Sequence, residues 1–172
     1  VLLDGDGVSF RHPLVRAGIY HAASAAERRT AHAQLAAAGS RRGAGGAEIV
    51  ARHRALAADG PDEAVAAALC DAARIAASRQ GYAEAAALTL RAVALTPDPA
   101  LRATRRVEGG GLAMLSGQPD LARSSLDEAI REAADPQVLT AARSARAHVE
   151  LWTGSVTRAR HMLIGEADRL EA

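Results

Sequence analysis

The sequence contains no lysine and no asparagine; all 21 basic residues are arginine. The lack of lysine removes chemistry. A Walker A phosphate grip, a Schiff base and a lysine general base all need an ε-ammonium group, so this chain is not a P-loop ATPase by itself. Arginine in place of lysine is the bias of a GC-rich genome, such as an actinobacterial one. Aromatic residues are almost as scarce, at Phe10, Tyr20, Tyr82 and Trp152. A core must then come from Ala, Leu and Val, which disfavours β architectures rich in aromatic and β-branched residues. The single cysteine, Cys70, excludes an internal disulfide framework, and its place beside Leu69 on an apolar stripe reads as a buried thiol. No apolar run approaches the roughly 18 residues of a membrane-spanning helix, and no signal-peptide pattern opens the chain; the expectation is a soluble, cytoplasmic protein. The net charge of +1 comes from arginines and acids interspersed along the chain. Its densest basic runs are doublets (Arg28-Arg29, Arg41-Arg42, Arg105-Arg106), not the concentrated basic face of a nucleic-acid binder.

What is abundant is alanine, which has the best helix propensity and lets helix axes approach closely. The opening differs from the rest: Val1-Leu2-Leu3-Asp4 and Val8-Ser9-Phe10 flank Gly5-Asp6-Gly7, the chemistry of a β-hairpin. Pro13 suits the first turn of a helix reaching about Ala23, with Leu14, Val15, Ile19 and Tyr20 as its apolar face. Ser24-Ala25-Ala26-Glu27 fits a capping box for a second helix, with Ala31, Leu35 and Ala38 on one face until Gly39. Residues 39–46, rich in glycine, read as a linker. Beyond it, punctuation at Asp59-Gly60-Pro61, Gly81, Thr96-Pro97-Asp98-Pro99, Gly117-Gln118-Pro119, Asp135-Pro136 and Gly154 predicts helices near 46–58, 62–79, 82–95, 100–116, 119–133, 137–152 and 156–170.

Self-similarity at a fixed offset marks stacked supersecondary units. A 37-residue offset relates Ala85, Ala122 and Ala159; Gln80, Gly117 and Gly154; Thr89, Leu126 and Leu163; and Ala92, Ala129 and Glu166. Gly81-Tyr82 followed by Ala85, Ala92 and Pro97 resembles the second half of a tetratricopeptide repeat. The predicted fold is all-α, a tetratricopeptide-like helical-hairpin solenoid over 47–172 behind a short N-terminal β-hairpin. Gly109-Gly110-Gly111 interrupts the regularity, since three glycines cost about 3 kcal/mol relative to alanines inside a helix. Either the helix kinks there or a neighbour packs onto bare backbone, and the kink is the preferred reading.

The hexad Arg11-His12-Pro13-Leu14-Val15-Arg16, with Phe10 before it and Ile19-Tyr20, Arg28-Arg29, Ala31-His32 and Leu35-Ala36 after it, resembles the end of the ATPase module in large ATP-binding regulators of the LuxR family. Ala51-Arg52-His53, Asp59-Gly60-Pro61 and Arg91-Ala92-Val93-Ala94-Leu95-Thr96-Pro97 are similar to the helical region that follows in those proteins. The resemblance implies a winged-helix end over 1–38, a linker at 39–46 and the repeats over 47–172. It also implies a parent that binds ATP and ADP and reads DNA through a C-terminal helix-turn-helix absent from this chain. By the same resemblance His12, assisted by Arg11 and Arg16, senses a nucleotide phosphate, an imidazole at a helix start being able to donate to phosphate oxygen. The plainer alternative is that His12 caps or packs locally.

His12, His21, His32, His53, His148 and His161 lack cysteine or carboxylate partners at zinc-site spacing, so no metal is expected. Ser24, Ser116 and Ser125 stand in no nucleophile motif, and the pairs Asp62-Glu63 and Asp127-Glu128 suit helix starts or exposed faces. No catalytic residue is assigned. Tyr82 and Trp152, near inter-helix turns, are candidate anchors for a protein or small-molecule effector, with core packing, Leu151-Trp152 filling space between hairpins, the favoured alternative. The function expected is a non-catalytic sensing and interaction segment of an ATP-dependent LuxR-type regulator, working on the adjoining ATPase module. The rival is a generic repeat scaffold from a cyclase, kinase or adaptor.

Overall fold

A computed structural model describes residues 2–4, 7–9, 12–40 and 46–171, with side chains for 12–40 and 46–169. The protein is all-helical, with nine helices among the described residues: α1 (Pro13–Ala22), α2 (Ala25–Ser40), α3 (Ala47–Ala57), α4 (Glu63–Ser78), α5 (Tyr82–Leu95), α6 (Pro99–Leu115), α7 (Pro119–Glu132), α8 (Pro136–Trp152) and α9 (Val156–Glu171). Ahead of them, β1 (Leu2–Asp4) and β2 (Gly7–Ser9) pair antiparallel, Leu2 opposite Ser9; the expected turn residues Gly5 and Asp6 lie outside the described residues. None of the described helices is long and apolar enough to cross a membrane.

The chain divides into two compact units, Val1–Asp59 and Gly60–Ala172. The division falls one helix later than the expected linker at 39–46, because α3 packs on α2. Gly39 permits this approach: a Cβ there would lie 2.8 Å from Val50 Cγ2. Gly39 and Ser40 belong to α2, Gly46 caps α3, and the residues between lie outside the described set. The capping box forms as expected, the Ser24 amide donating to Glu27 Oε2 at 2.7 Å and the Glu27 amide to Ser24 Oγ at 3.2 Å. The buried face of α2 departs from expectation by one residue. It centres on Ala36, flanked by His32 and Gly39, while Leu35 is half exposed. The expected apolar face of α1 exists but is uncovered, with Leu14 72% exposed and no buried residue in the helix.

In the second unit, consecutive helices from α4 to α9 pack on one another and α8 also touches α6. Neighbouring helices run antiparallel: Arg106 of α6 meets Glu132 of α7 while Gly110 faces Leu126, and Arg123 of α7 meets Glu150 of α8 while Asp127 meets Arg146. Of the 24 buried apolar side chains described, 17 are alanine and none is aromatic. Small side chains bring helix axes close enough for backbone to pack on side chain. Asp62, Asp98 and Asp135 cap α4, α6 and α8, each carboxylate accepting an amide of the first turn. Two of these helices start on proline one residue earlier than predicted, as suits a first-turn residue whose missing N–H is not required.

The 37-residue offset survives in three dimensions except at Leu163, which is 40% exposed where its counterparts Thr89 and Leu126 are buried. Ala85, Ala122 and Ala159 are all buried, as are Ala92, Ala129 and Glu166. Gln80, Gly117 and Gly154 all adopt left-handed backbone, with φ of 61°, 75° and 91°. Each ends its helix the same way, the next amide reaching back to the carbonyl of Ala76, Ala113 or Glu150. Gln80 alone pays a Cβ penalty for this conformation. Gln80→Gly is therefore expected to raise unfolding stability by about 1 kcal/mol, read as a higher urea midpoint at unchanged m-value.

The kink expected at Gly109-Gly110-Gly111 does not occur; α6 runs unbroken through all three. Gly109 and Gly110 are buried, and a Cβ on them would lie 2.6 Å from Leu90 Cδ2 and 2.7 Å from Leu126 Cγ respectively. The neighbours α5 and α7 rest on bare backbone, and the contact offsets the glycine cost. A Cβ on Gly111 would meet nothing within 4 Å.

Candidate functional site: an apolar trough over Gly111

Gly111 lines two adjoining recesses. The larger, about 590 Å³, lies between α4 and α6. Cys70, Ala73 and Ala77, spaced for one face of α4, oppose Leu101, Leu112 and Leu115 of α6. The smaller, about 300 Å³, lies between α6 and α8, with Met114, Ala145 and His148 on its walls. Gly111 and Leu115 belong to both, so the two recesses adjoin along α6, a trough in two parts that meet at these residues. Residues of the intervening helices, Thr89 of α5 and Leu126 of α7, reach its floor.

One end of the trough is polar. Arg105, which lines it, donates to both oxygens of Glu63 at 2.6 and 2.9 Å, and to Thr96 Oγ1. Such a bidentate pair fixes the α4 start against α6, and the bond from Arg105 holds the Glu63 carboxyl below the usual range. Cys70 is half-buried on the recess wall rather than buried as expected; that burial still pushes its thiol above the ordinary value, with the Arg105 charge opposing. A thiol so placed stays protonated and weakly nucleophilic at neutral pH. The arrangement offers a largely apolar recess with Arg74, Arg105 and Glu108 among its lining, suited to binding.

The residues singled out from sequence are scattered. His12 is the N-cap of α1, its Nδ1 accepting the Leu14 amide at 3.3 Å. Arg11 lies outside the described residues, and Arg16 is exposed on α1. Tyr82 is half-buried at the start of α5. Trp152 is 76% exposed and Leu151 44%, so neither fills the space between hairpins: at the end of α8 they extend beyond the packed alanine seam. Trp152 stands 37 residues after Leu115, which is itself 66% exposed. Both hold the last helical position before a left-handed turn, so the two large apolar side chains occupy equivalent edges of successive hairpins. The offset applied to Leu115 would have revealed this pairing from sequence.

Sequence reasoning missed a histidine pair. Although His32 and His53 are 21 residues apart, α2 and α3 bring their Nδ1 atoms to 3.0 Å, rings 5.2 Å apart between centroids and 26° from parallel. No group of three potential metal ligands gathers among the described residues. Comparison with family models, with curated proteins and with solved structures finds no match to this chain.

Proposed function

We propose that the chain is a tetratricopeptide-like helical-hairpin solenoid whose trough docks an apolar segment of a partner protein or a small apolar effector, as the sensing part of an ATP-dependent LuxR-type transcription regulator. The observation that carries the docking role is Gly111 itself, which lines both recesses at a position where a side chain would meet open space. A glycine in mid-helix costs about 1 kcal/mol relative to alanine. At Gly109 and Gly110 packing offsets that cost; at Gly111 nothing in the fold does, and an open floor for a ligand supplies a reason. Leu115, exposed and lining both recesses, then serves as an apolar anchor.

The regulator assignment rests on the hexad around His12. A ring whose Nδ1 accepts a backbone amide carries its proton on Nε2 when neutral, leaving that N–H to donate to a phosphate oxygen of ATP or ADP bound in the adjoining ATPase module. The winged reading of the first two strands belongs to the same proposal. Flanking gene sequence tests it: a Walker A glycine-lysine motif upstream and a helix-turn-helix downstream support it, and a cyclase or kinase domain in their place removes it.

The docking role is tested with 1-anilinonaphthalene-8-sulfonate, an apolar aromatic probe. Gly111→Leu fills the channel floor while improving helix propensity. It is expected to weaken probe binding at least tenfold with the thermal midpoint retained or raised. Unchanged probe affinity in a folded variant would place the binding elsewhere.

A further inference from the structure

In the first unit, one side chain of α2 reaches both neighbouring helices. His32 Nδ1 meets His53 Nδ1 of α3 at 3.0 Å, and His32 Nε2 meets the Tyr20 hydroxyl of α1 at 3.4 Å. Two ring nitrogens at hydrogen-bond distance share one proton: one donates, the other accepts. A single added proton is tolerated, because an imidazolium can still donate to a neutral partner. A second puts two N–H groups and two charges face to face.

We infer that the His32–His53 contact is a proton-operated latch between α2 and α3, closed while at least one ring is neutral and released when both are charged.

The surroundings oppose the doubly charged state. From α1, Tyr20 contacts His32 and His21 lies edge-on to Tyr20. From α2, the Arg28 guanidinium sits 5.4 Å over the Tyr20 ring and is anchored on the Tyr20 and Ala23 carbonyls. Arg29, also on α2, is paired with Asp59 beyond α3 at 3.5 Å, and Arg52 and Arg54 flank His53 on α3. The nearest acid of the capping box, Glu27, is held by Ser24. Neither imidazole has a carboxylate partner among the described residues, so nothing neutralises a second proton. Burial, and then the neighbouring His53, lower the His32 pKa below its ordinary 6.5. The unfolded chain therefore binds more protons than the folded one as pH falls through that range. Stability from the latch is full above pH 6.5 and declines below it.

Hydrogen exchange of the whole chain, corrected for intrinsic chemical exchange, tests the latch at pH 7.5 and pH 5. The expected result is a loss of protection in α3 at the lower pH. The histidine-free helices α5 and α6 should not change. His53→Phe keeps a flat ring against His32 and should abolish the difference. An α3 response that is flat in the unmodified protein, or identical in the variant, overturns the proposal. Imidazole NMR titration of the unmodified protein decides it independently of any variant: coupled uptake, with the second proton entering below the ordinary range, supports the latch, and two independent titrations near 6.5 refute it.

Discussion

Gly110→Ala is expected to destabilise the second unit by up to about 2 kcal/mol, whereas Gly111→Ala, one residue on, stabilises it by about 1 kcal/mol. Both substitutions bring the same propensity gain, so the difference isolates packing. At position 110 the new Cβ would lie 2.7 Å from Leu126 Cγ, with both Leu126 methyls within 3.4 Å. Leu126 is fully buried in the cluster it forms with Ala86, Ala113, Ala122 and Val149, so its branch point cannot swing aside without disturbing α5, α7 and α8. Overpacking of this kind costs about 1–3 kcal/mol and exceeds the gain. At position 109 the obstacle is mainly the tip of half-buried Leu90, and an intermediate result follows. Urea unfolding of the three variants checks the series. Equal shifts at 110 and 111 would mean that α7 does not rest on bare α6 backbone.

Glu150→Ala is expected to cost about 3 kcal/mol, on the order of 10 °C in thermal midpoint. The Glu150 carboxylate is buried at the centre of three arginines, Arg146 on its own helix, Arg123 of α7 at 3.2 Å and Arg158 of α9 at 3.4 Å. Removing it leaves Arg146, itself mostly buried and otherwise held only by Asp127, short of a counter-charge. Arg158 is exposed, and solvent screening makes its share small. The bond from Arg146 leads in holding the Glu150 carboxyl below its ordinary value, against the opposing effect of burial. A depressed carboxylate contributes stability that is present above the unfolded value, 4.5, and lost as pH falls through the folded one. Glu150→Gln should thus lose most of its stability deficit at acid pH, while Glu150→Ala stays weaker throughout. A wild-type stability profile flat between pH 6 and pH 3 would refute the role. Glu166 follows the same pattern on the next helix, α9: burial alone would raise it, but bonds from Thr140 and Arg169 and the charge of Arg143 hold it low.

Glu150 and Glu166 also mark where sequence reading stopped. Glu166 shares its repeat position with Ala92 and Ala129, and all three are buried. The offset showed the equivalence, yet nothing in one dimension says that Arg143 and Arg169 converge to neutralise it. The His32–His53 contact is hidden for the same reason, since it depends on the angle at which α3 folds back on α2. Trp152 was misjudged from its size: a large aromatic suits a core on average, but an alanine seam has no room for it.

Helix identity, helix ends and the hairpin spacing were legible because they are local. Alanine content, aspartate and serine caps, prolines at first turns and a recurrent left-handed turn act within a few residues of themselves, and an offset can be counted on a single chain. Gly109, Gly110 and Gly111 are alike in sequence and differ only in what lies across from them: Leu90, Leu126 and open space. Tertiary structure alone decided that difference, because close approach, burial of charge and the opening of a channel are properties of pairs of helices.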